Sequence, residues 1–78
     1  MLDTREVEAL LSKLCIGLGF CLPPTAEREL IAKPPDTVDE FTREVFRLEG
    51  LDPDVVDRHL FREVRNCVAA AFESHDWN

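Results

Sequence analysis

Residues 53–73 of the chain, PDVVDRHLFREVRNCVAAAFE, contain the longest uninterrupted helical pattern in the sequence. Apolar side chains recur there every three or four positions, which places them on one face of an α-helix. They are Val56, Leu60, Val64, Cys67, Val68, Ala71 and Phe72. Asp52 followed by Pro53 is typical of an N-cap and a first helical residue. At about 1.5 Å per residue, such a helix is about 30 Å long, the full length of a small domain.

Proline and glycine residues divide the rest of the chain into three shorter segments, each with a helical pattern. Residues 4–18 carry aliphatic side chains at the spacing of one helical face. Residues 26–32 form a short segment with only two large apolar anchors, and residues 37–49 again show a buried stripe. No stretch alternates with the period of a β-strand. We therefore predict an all-α fold, a compact small helical bundle of three main helices plus one short helix, with the longest helix C-terminal.

Residues with capping chemistry precede the three shorter segments. Asp3 together with Glu6 forms an acidic capping-box pattern at the first one. Thr25 and Asp36 are the predicted N-caps of the second and the third. The whole chain is expected to form a single domain, residues 1–78, with a frayed tail at about residues 74–78.

The composition combines a foldable share of apolar residues with a strong acidic surplus. Of the 78 residues, 45% are hydrophobic, and 16 Asp and Glu stand against 9 Lys and Arg, giving a net charge of -7. Such a surface repels phosphate groups, which disfavours nucleic acid as a partner and an anionic membrane surface. No apolar run approaches the ~20 residues that span a bilayer, and the N-terminus has no signal-peptide pattern. We expect a cytoplasmic protein with no membrane association.

The three cysteines are Cys15, Cys21 and Cys67. An odd number cannot all pair within one chain, and with no visible signal peptide we expect reduced thiols. Cys15 and Cys67 fit the pattern of small core residues, and Cys21 is the expected exposed thiol.

Residue types that ligate metals occur together only on the long helix. His59, Glu63 and Cys67 lie four positions apart in turn. One straight helix directs only two such ligands at one ion, because successive turns are about 6 Å apart. Cys67 and His59 are also about 12 Å apart along the axis, too far for a nucleophile and its base. The sequence therefore predicts no catalytic residues, no metal site and no cofactor, and a protein that is not an enzyme.

Apolar side chains outside the helical stripes are the candidates for a binding surface. They are Ile16, Phe46, Val55, Phe61 and Trp77. So small a domain cannot place them all at its centre, and exposed aromatic clusters commonly mark interfaces. The alternative is that the short second helix and the proline-rich loops cover them. Arg58, Arg62 and Arg65 form a basic ridge that we expect to pair with acids of the first and third helices.

Two hypotheses for the function follow. The first is a small acidic, non-enzymatic protein–protein interaction or regulatory module. It presents Phe46 and Phe61, rimmed by carboxylates, to a second copy in a homodimer or to a basic protein partner. The alternative is a helix-turn-helix DNA-binding regulator built from residues 25–48. Asp39 and Glu40 on its reading helix argue against that alternative, since they would face phosphates.

Overall fold

The described part of the chain, residues 2–76, folds into four α-helices, which confirms the predicted all-α class. The computed structural model describes residues 2–76, and the side chains of residues 2–73. The helices are α1 (Thr4–Leu18), α2 (Pro24–Ala32), α3 (Val38–Leu48) and α4 (Arg58–Asp76). No β-strand occurs in residues 2–76, and the longest helix is the C-terminal one, as predicted.

The α4 helix is central to the packing because both α1 and α3 lie against it, while α2 packs on α1. The fully buried side chains come from all four helices, and the largest of them are Phe41, Phe46, Leu10, Leu14 and Leu30. The radius of gyration is 11.4 Å. This agrees with the ~11.5 Å expected for a close-packed chain of this length.

The ends of α1 follow the sequence prediction. The backbone N–H of Glu6 donates to the Asp3 carboxylate at 2.8 Å, and the backbone N–H of Asp3 donates to the Glu6 carboxylate at 3.1 Å. This reciprocal pair is the predicted capping box. Gly19 ends the helix with a φ of 69°, in the left-handed region that favours glycine. The chain reverses there toward α2.

Two of the predicted N-caps are wrong by one or two residues. The α2 helix begins at Pro24, so Thr25 lies inside it, and its capping residue Pro23 supplies no side-chain hydrogen bond. Pro24 suits the first helical position, because a backbone N–H at that position would have no partner within the helix. In α3 the cap is Thr37, whose hydroxyl accepts from the backbone N–H of Glu40 at 3.1 Å, and not Asp36.

The helix predicted from Pro53 is interrupted, and α4 begins at Arg58. The Asp52 carboxylate accepts from the backbone N–H of Asp54 at 2.9 Å and caps only a single turn. The carboxylate of Asp57 then accepts from the backbone N–H of His59 at 3.2 Å and caps α4 itself. Two aspartates with capping chemistry thus divide the segment, and the turn between them exposes Val55.

Candidate functional site: an arginine-lined groove beside α4

The five residues predicted to form an interface do not share one surface. Ile16 and Val55 are exposed, at 84% and 78%. Phe61 is half-buried. Phe46 is fully buried, so its predicted place at the surface is wrong. The buried face of α3 is broader than the sequence pattern indicated, because it also includes Thr42 and Phe46. Trp77 lies outside the described residues.

Two aromatic rings pack against Phe46 and help to bury it. The Phe20 ring packs edge-on against it, with centroids 5.0 Å apart. On another side the Phe61 ring stacks on it at 5.4 Å and 14°. Such ring pairs contribute about 0.5–1.5 kcal/mol beyond the area they bury. Phe46 therefore holds Phe61 in place from below, while the other side of Phe61 lines the groove described next.

A groove of about 570 Å³ lies where the 53–56 turn and α3 meet α4. We call it the arginine groove. Its walls carry four arginines, which are Arg43, Arg58, Arg62 and Arg65. Phe61 and Val56, both half-buried, supply its apolar lining. The exposed Val55 adjoins Val56 in the turn. The groove therefore combines positive charge with an apolar floor.

Two of the four arginines are held by ion pairs. Arg43 contacts Asp54 at 3.0 Å, and Arg65 contacts Asp39 at 2.8 Å. The two arginines and the two aspartates of these pairs are each about half exposed or more. Each ion pair therefore contributes at most about 1 kcal/mol to stability. The prediction that the basic ridge pairs with α3 is confirmed for Arg65. Arg58 and Arg62 make no ion pair within residues 2–73.

Only part of this site is predictable from the sequence. The ridge of Arg58, Arg62 and Arg65 is, because the i, i+4, i+7 spacing places the three residues on one side of a helix. Arg43 is not, because only the packing of α3 on α4 brings that side chain to the groove. The expected rim of carboxylates is wrong for Phe61, since the groove that it lines carries four arginines and one carboxylate, Asp54. No local signal in the sequence reports such a tertiary approach.

A second surface lies at the end of α1, where Cys15 and Cys21 form a disulfide with their Cα atoms 4.2 Å apart. The expectation of three reduced thiols is therefore wrong in this structure. The reversal of the chain at Gly19 brings Cys21 back beside the last turn of α1. Cys15 is half-buried and not a core residue. A cleft of about 360 Å³ next to the disulfide is lined by the exposed Ile16 and by Glu8 and Glu27. We call it the disulfide cleft.

The remaining cysteine, Cys67, is half-buried on α4, and His59 and Glu63 on the same helix are exposed. His59 Nε2 lies 3.5 Å from a Glu63 carboxylate oxygen, and both side chains are largely exposed. Burial raises the pKa of the Cys67 thiol above its ordinary value, and the charge of Lys13 offsets part of that rise. The thiol therefore stays protonated and weakly nucleophilic near neutral pH. Among the described residues, no three His, Cys, Asp or Glu side chains are grouped closely enough to hold a metal ion.

The pair of helices that would form a helix-turn-helix is present, but each packs mainly on another helix. The main contacts of α2 are with α1, and those of α3 are with α4. A cavity of about 370 Å³ lies between α2 and α3, lined by residues that include Leu30, Lys33, Glu44 and Leu48. At the N-terminus of α3, Asp39 and Glu40 are exposed.

Comparisons of the chain with protein-family models, with curated proteins and with solved structures find no match. None of the helices within residues 2–76 combines the length and the apolar character that crossing a membrane requires.

Proposed function

We propose that this protein is a small, non-enzymatic protein–protein interaction or regulatory module, and that it binds its partner at the arginine groove. The observation that carries the proposal is Val55, which is 78% exposed and is the sequence neighbour of Val56, a residue that lines the groove together with Phe61. Covering apolar surface contributes about 25 cal/mol per Å². Arginine and phenylalanine are both enriched in protein interfaces, and the groove offers both.

Site-specific photo-cross-linking tests this proposal. A photoreactive phenylalanine derivative replaces Val55 in one variant and Ile16 in a matched control, since both native side chains are apolar and exposed to a similar degree. After irradiation in the native host, we expect an adduct of defined mass with another protein from position 55 only. Equal yields from the two positions, or no adduct from position 55, would contradict the proposal.

Self-association is the second form of the proposal, and light scattering measures it directly. A mass that rises from monomer toward dimer with concentration, and that returns to the monomer in Val55→Asp, supports a homodimer through this surface. A constant monomeric mass assigns the groove to a different protein.

The alternative function, DNA binding, has one observation in its favour, which is the order α2, short connection, α3. The exposed Asp39 and Glu40 at the start of α3 oppose it, because they would meet phosphates. Titration of mixed-sequence DNA duplexes at low salt tests it. Saturable binding that weakens steeply with added salt would favour DNA over a protein partner.

A cytoplasmic location remains part of the proposal, and the Cys15–Cys21 bond is the observation against it. Disulfides persist mainly in oxidising compartments. Thiol trapping with a mass-tagged maleimide in intact host cells decides the matter. A reduced cytoplasmic protein takes up three tags, whereas a chain that keeps the bond takes up one, at Cys67.

A further inference from the structure

We infer that the partner contributes an acidic segment in which carboxylates flank an apolar side chain, and that this segment lies along α4 in the arginine groove. The inference rests on the proposed function and specifies the chemistry of the partner. It changes the expectation from the sequence, which was a basic partner for a carboxylate-rimmed patch.

The distribution of charge is the first argument. The chain has nine Lys and Arg residues and a net charge of -7. Four of those nine, Arg43, Arg58, Arg62 and Arg65, line this one groove, together with one carboxylate, Asp54. The groove lining thus carries a net positive charge on an acidic molecule, and such a local charge attracts a segment of opposite sign.

The availability of the arginines is the second argument. Arg43 and Arg65 are oriented by Asp54 and Asp39. Arg58 and Arg62 are exposed and make no ion pair in the described part of the chain. Each guanidinium can therefore donate a bidentate pair of hydrogen bonds to an incoming carboxylate.

Spacing is the third argument. Arg58 and Arg62 are four residues apart on α4, so they lie about 6 Å apart along the helix axis. Carboxylates one turn apart on a partner helix, or on alternate residues of an extended partner segment, have a similar separation of about 6–7 Å. Phe61 lies next to Arg62 in the groove lining. An apolar side chain between the two carboxylates would therefore cover Phe61.

Two other occupants fit less well. A two-fold contact between copies of this chain would place the same arginines against each other. A nucleic-acid duplex is a long uniform anion, and it would also meet Asp39, Asp54 and Glu40, which lie in or beside the groove. A short acidic segment along Arg58 and Arg62 need not reach the acidic start of α3. The carboxylate of Asp54, which also lines the groove, is already paired with Arg43 at 3.0 Å.

The test uses the full oxidised chain and a fluorescent helical peptide of about 15 residues. The peptide carries two glutamates four positions apart and a leucine three positions after the first glutamate, on the same face of the helix. Binding is followed by fluorescence anisotropy at low salt. We expect saturable binding that weakens as salt is added, and a loss of about threefold to fivefold in Arg62→Gln, since exposed ion pairs contribute little individually. The double variant Arg58→Gln/Arg62→Gln should lose about tenfold.

The matched control is Arg47→Gln, which removes the same charge from a residue that pairs with Glu44 outside the groove. It should leave the affinity unchanged within about twofold. A control peptide with lysine in place of glutamate should not bind, and one with serine in place of leucine should bind more weakly. Circular dichroism of each variant verifies the fold.

Several outcomes overturn the inference: no binding of the glutamate–leucine peptide, equal losses in Arg62→Gln and Arg47→Gln, or tighter binding of the lysine peptide or of a DNA duplex. The photo-cross-linking experiment separates this failure from failure of the proposed function. A position-55 adduct without peptide binding leaves the interaction module standing and excludes only an acidic partner segment. No adduct and no binding together remove both.

Discussion

Ile16 and Val55 are the two most exposed large apolar side chains in the described structure, at 84% and 78%. Their surroundings differ. Ile16 lines a cleft with Glu8 and Glu27, on a protein with a net charge of -7. Val55 is the sequence neighbour of Val56, which lines the arginine groove with Phe61. Exposure alone therefore does not identify a binding surface. The arginines of the groove, with a charge opposite to the net charge of the molecule, distinguish the second site from the first.

An aromatic residue from each of the two regions packs on the same core residue, Phe46. Phe20, in the connection closed by the disulfide, packs on Phe46 at 5.0 Å. Phe61, in the groove, packs on the same ring at 5.4 Å. A change at Phe46 should therefore affect both ends, whereas changes at either end should remain local.

The largest effect is expected for Phe46→Ala. Deleting a fully buried phenylalanine leaves a cavity and should reduce the free energy of unfolding by about 3–5 kcal/mol. Urea denaturation followed by circular dichroism measures it. The comparison with Phe46→Leu, which keeps most of the volume, should show a smaller loss. A loss below about 1 kcal/mol for the alanine variant would mean that the Phe46 ring is not tightly packed between Phe20 and Phe61.

Breaking the disulfide should have the next largest effect and should act on one end only. The Cys15–Cys21 bond closes a short loop, and the chain-entropy model gives about 2 kcal/mol for a ring of this size. For a chain of this length that corresponds to a fall of roughly 10 °C in Tm. The measurement is thermal unfolding with and without a reductant.

Controls for that experiment come from the third cysteine and from the groove. Cys67→Ala should remain as sensitive to the reductant as the native chain, whereas Cys15→Ser/Cys21→Ser should be insensitive. Below the melting temperature, binding of the acidic peptide should not change on reduction. A reductant-induced loss of peptide binding at full folding would show that the two regions are coupled.

The correct predictions concern residues that are neighbours in the sequence. The capping box of Asp3 and Glu6 involves neighbours in sequence, and it was predicted correctly. The start of α4 was not, because Asp52 and Asp57 both have capping chemistry and the sequence pattern does not decide between them. The helices and their order were therefore predictable from local signals, but the exact start of α4 was not.

The candidate site was less predictable, since it depends on distant contacts. Arg43 reaches the groove only when α3 packs on α4. Phe46 is covered by Phe20 and Phe61, which lie far from it in sequence. The disulfide depends on the reversal at Gly19, and an odd number of cysteines does not prevent two of them from pairing.

A smaller effect is expected at the cap of α4, on the groove side of the molecule. Asp57→Ala removes the acceptor for the backbone N–H of His59 and a negative charge at the helix N-terminus. The loss in unfolding free energy should be about 1 kcal/mol. Asp36→Ala is the matched control, because Asp36 is exposed and has no hydrogen bond to any described residue. Equal losses in the two variants would show that Asp57 does not cap α4.

The smallest effect on stability is expected where the comparison began. Val55→Ser and Ile16→Ser both replace exposed side chains, so each should change the free energy of unfolding by no more than about 0.5 kcal/mol. Binding of the acidic peptide should separate them. Full burial of a valine side chain contributes about 1.5 kcal/mol to the binding free energy, and partial burial under a ligand contributes less. Val55→Ser should therefore weaken binding about threefold. Ile16→Ser should leave the affinity unchanged. If both variants bind as tightly as the native chain, the ligand does not reach Val55, and the contact is confined to the arginines on α4.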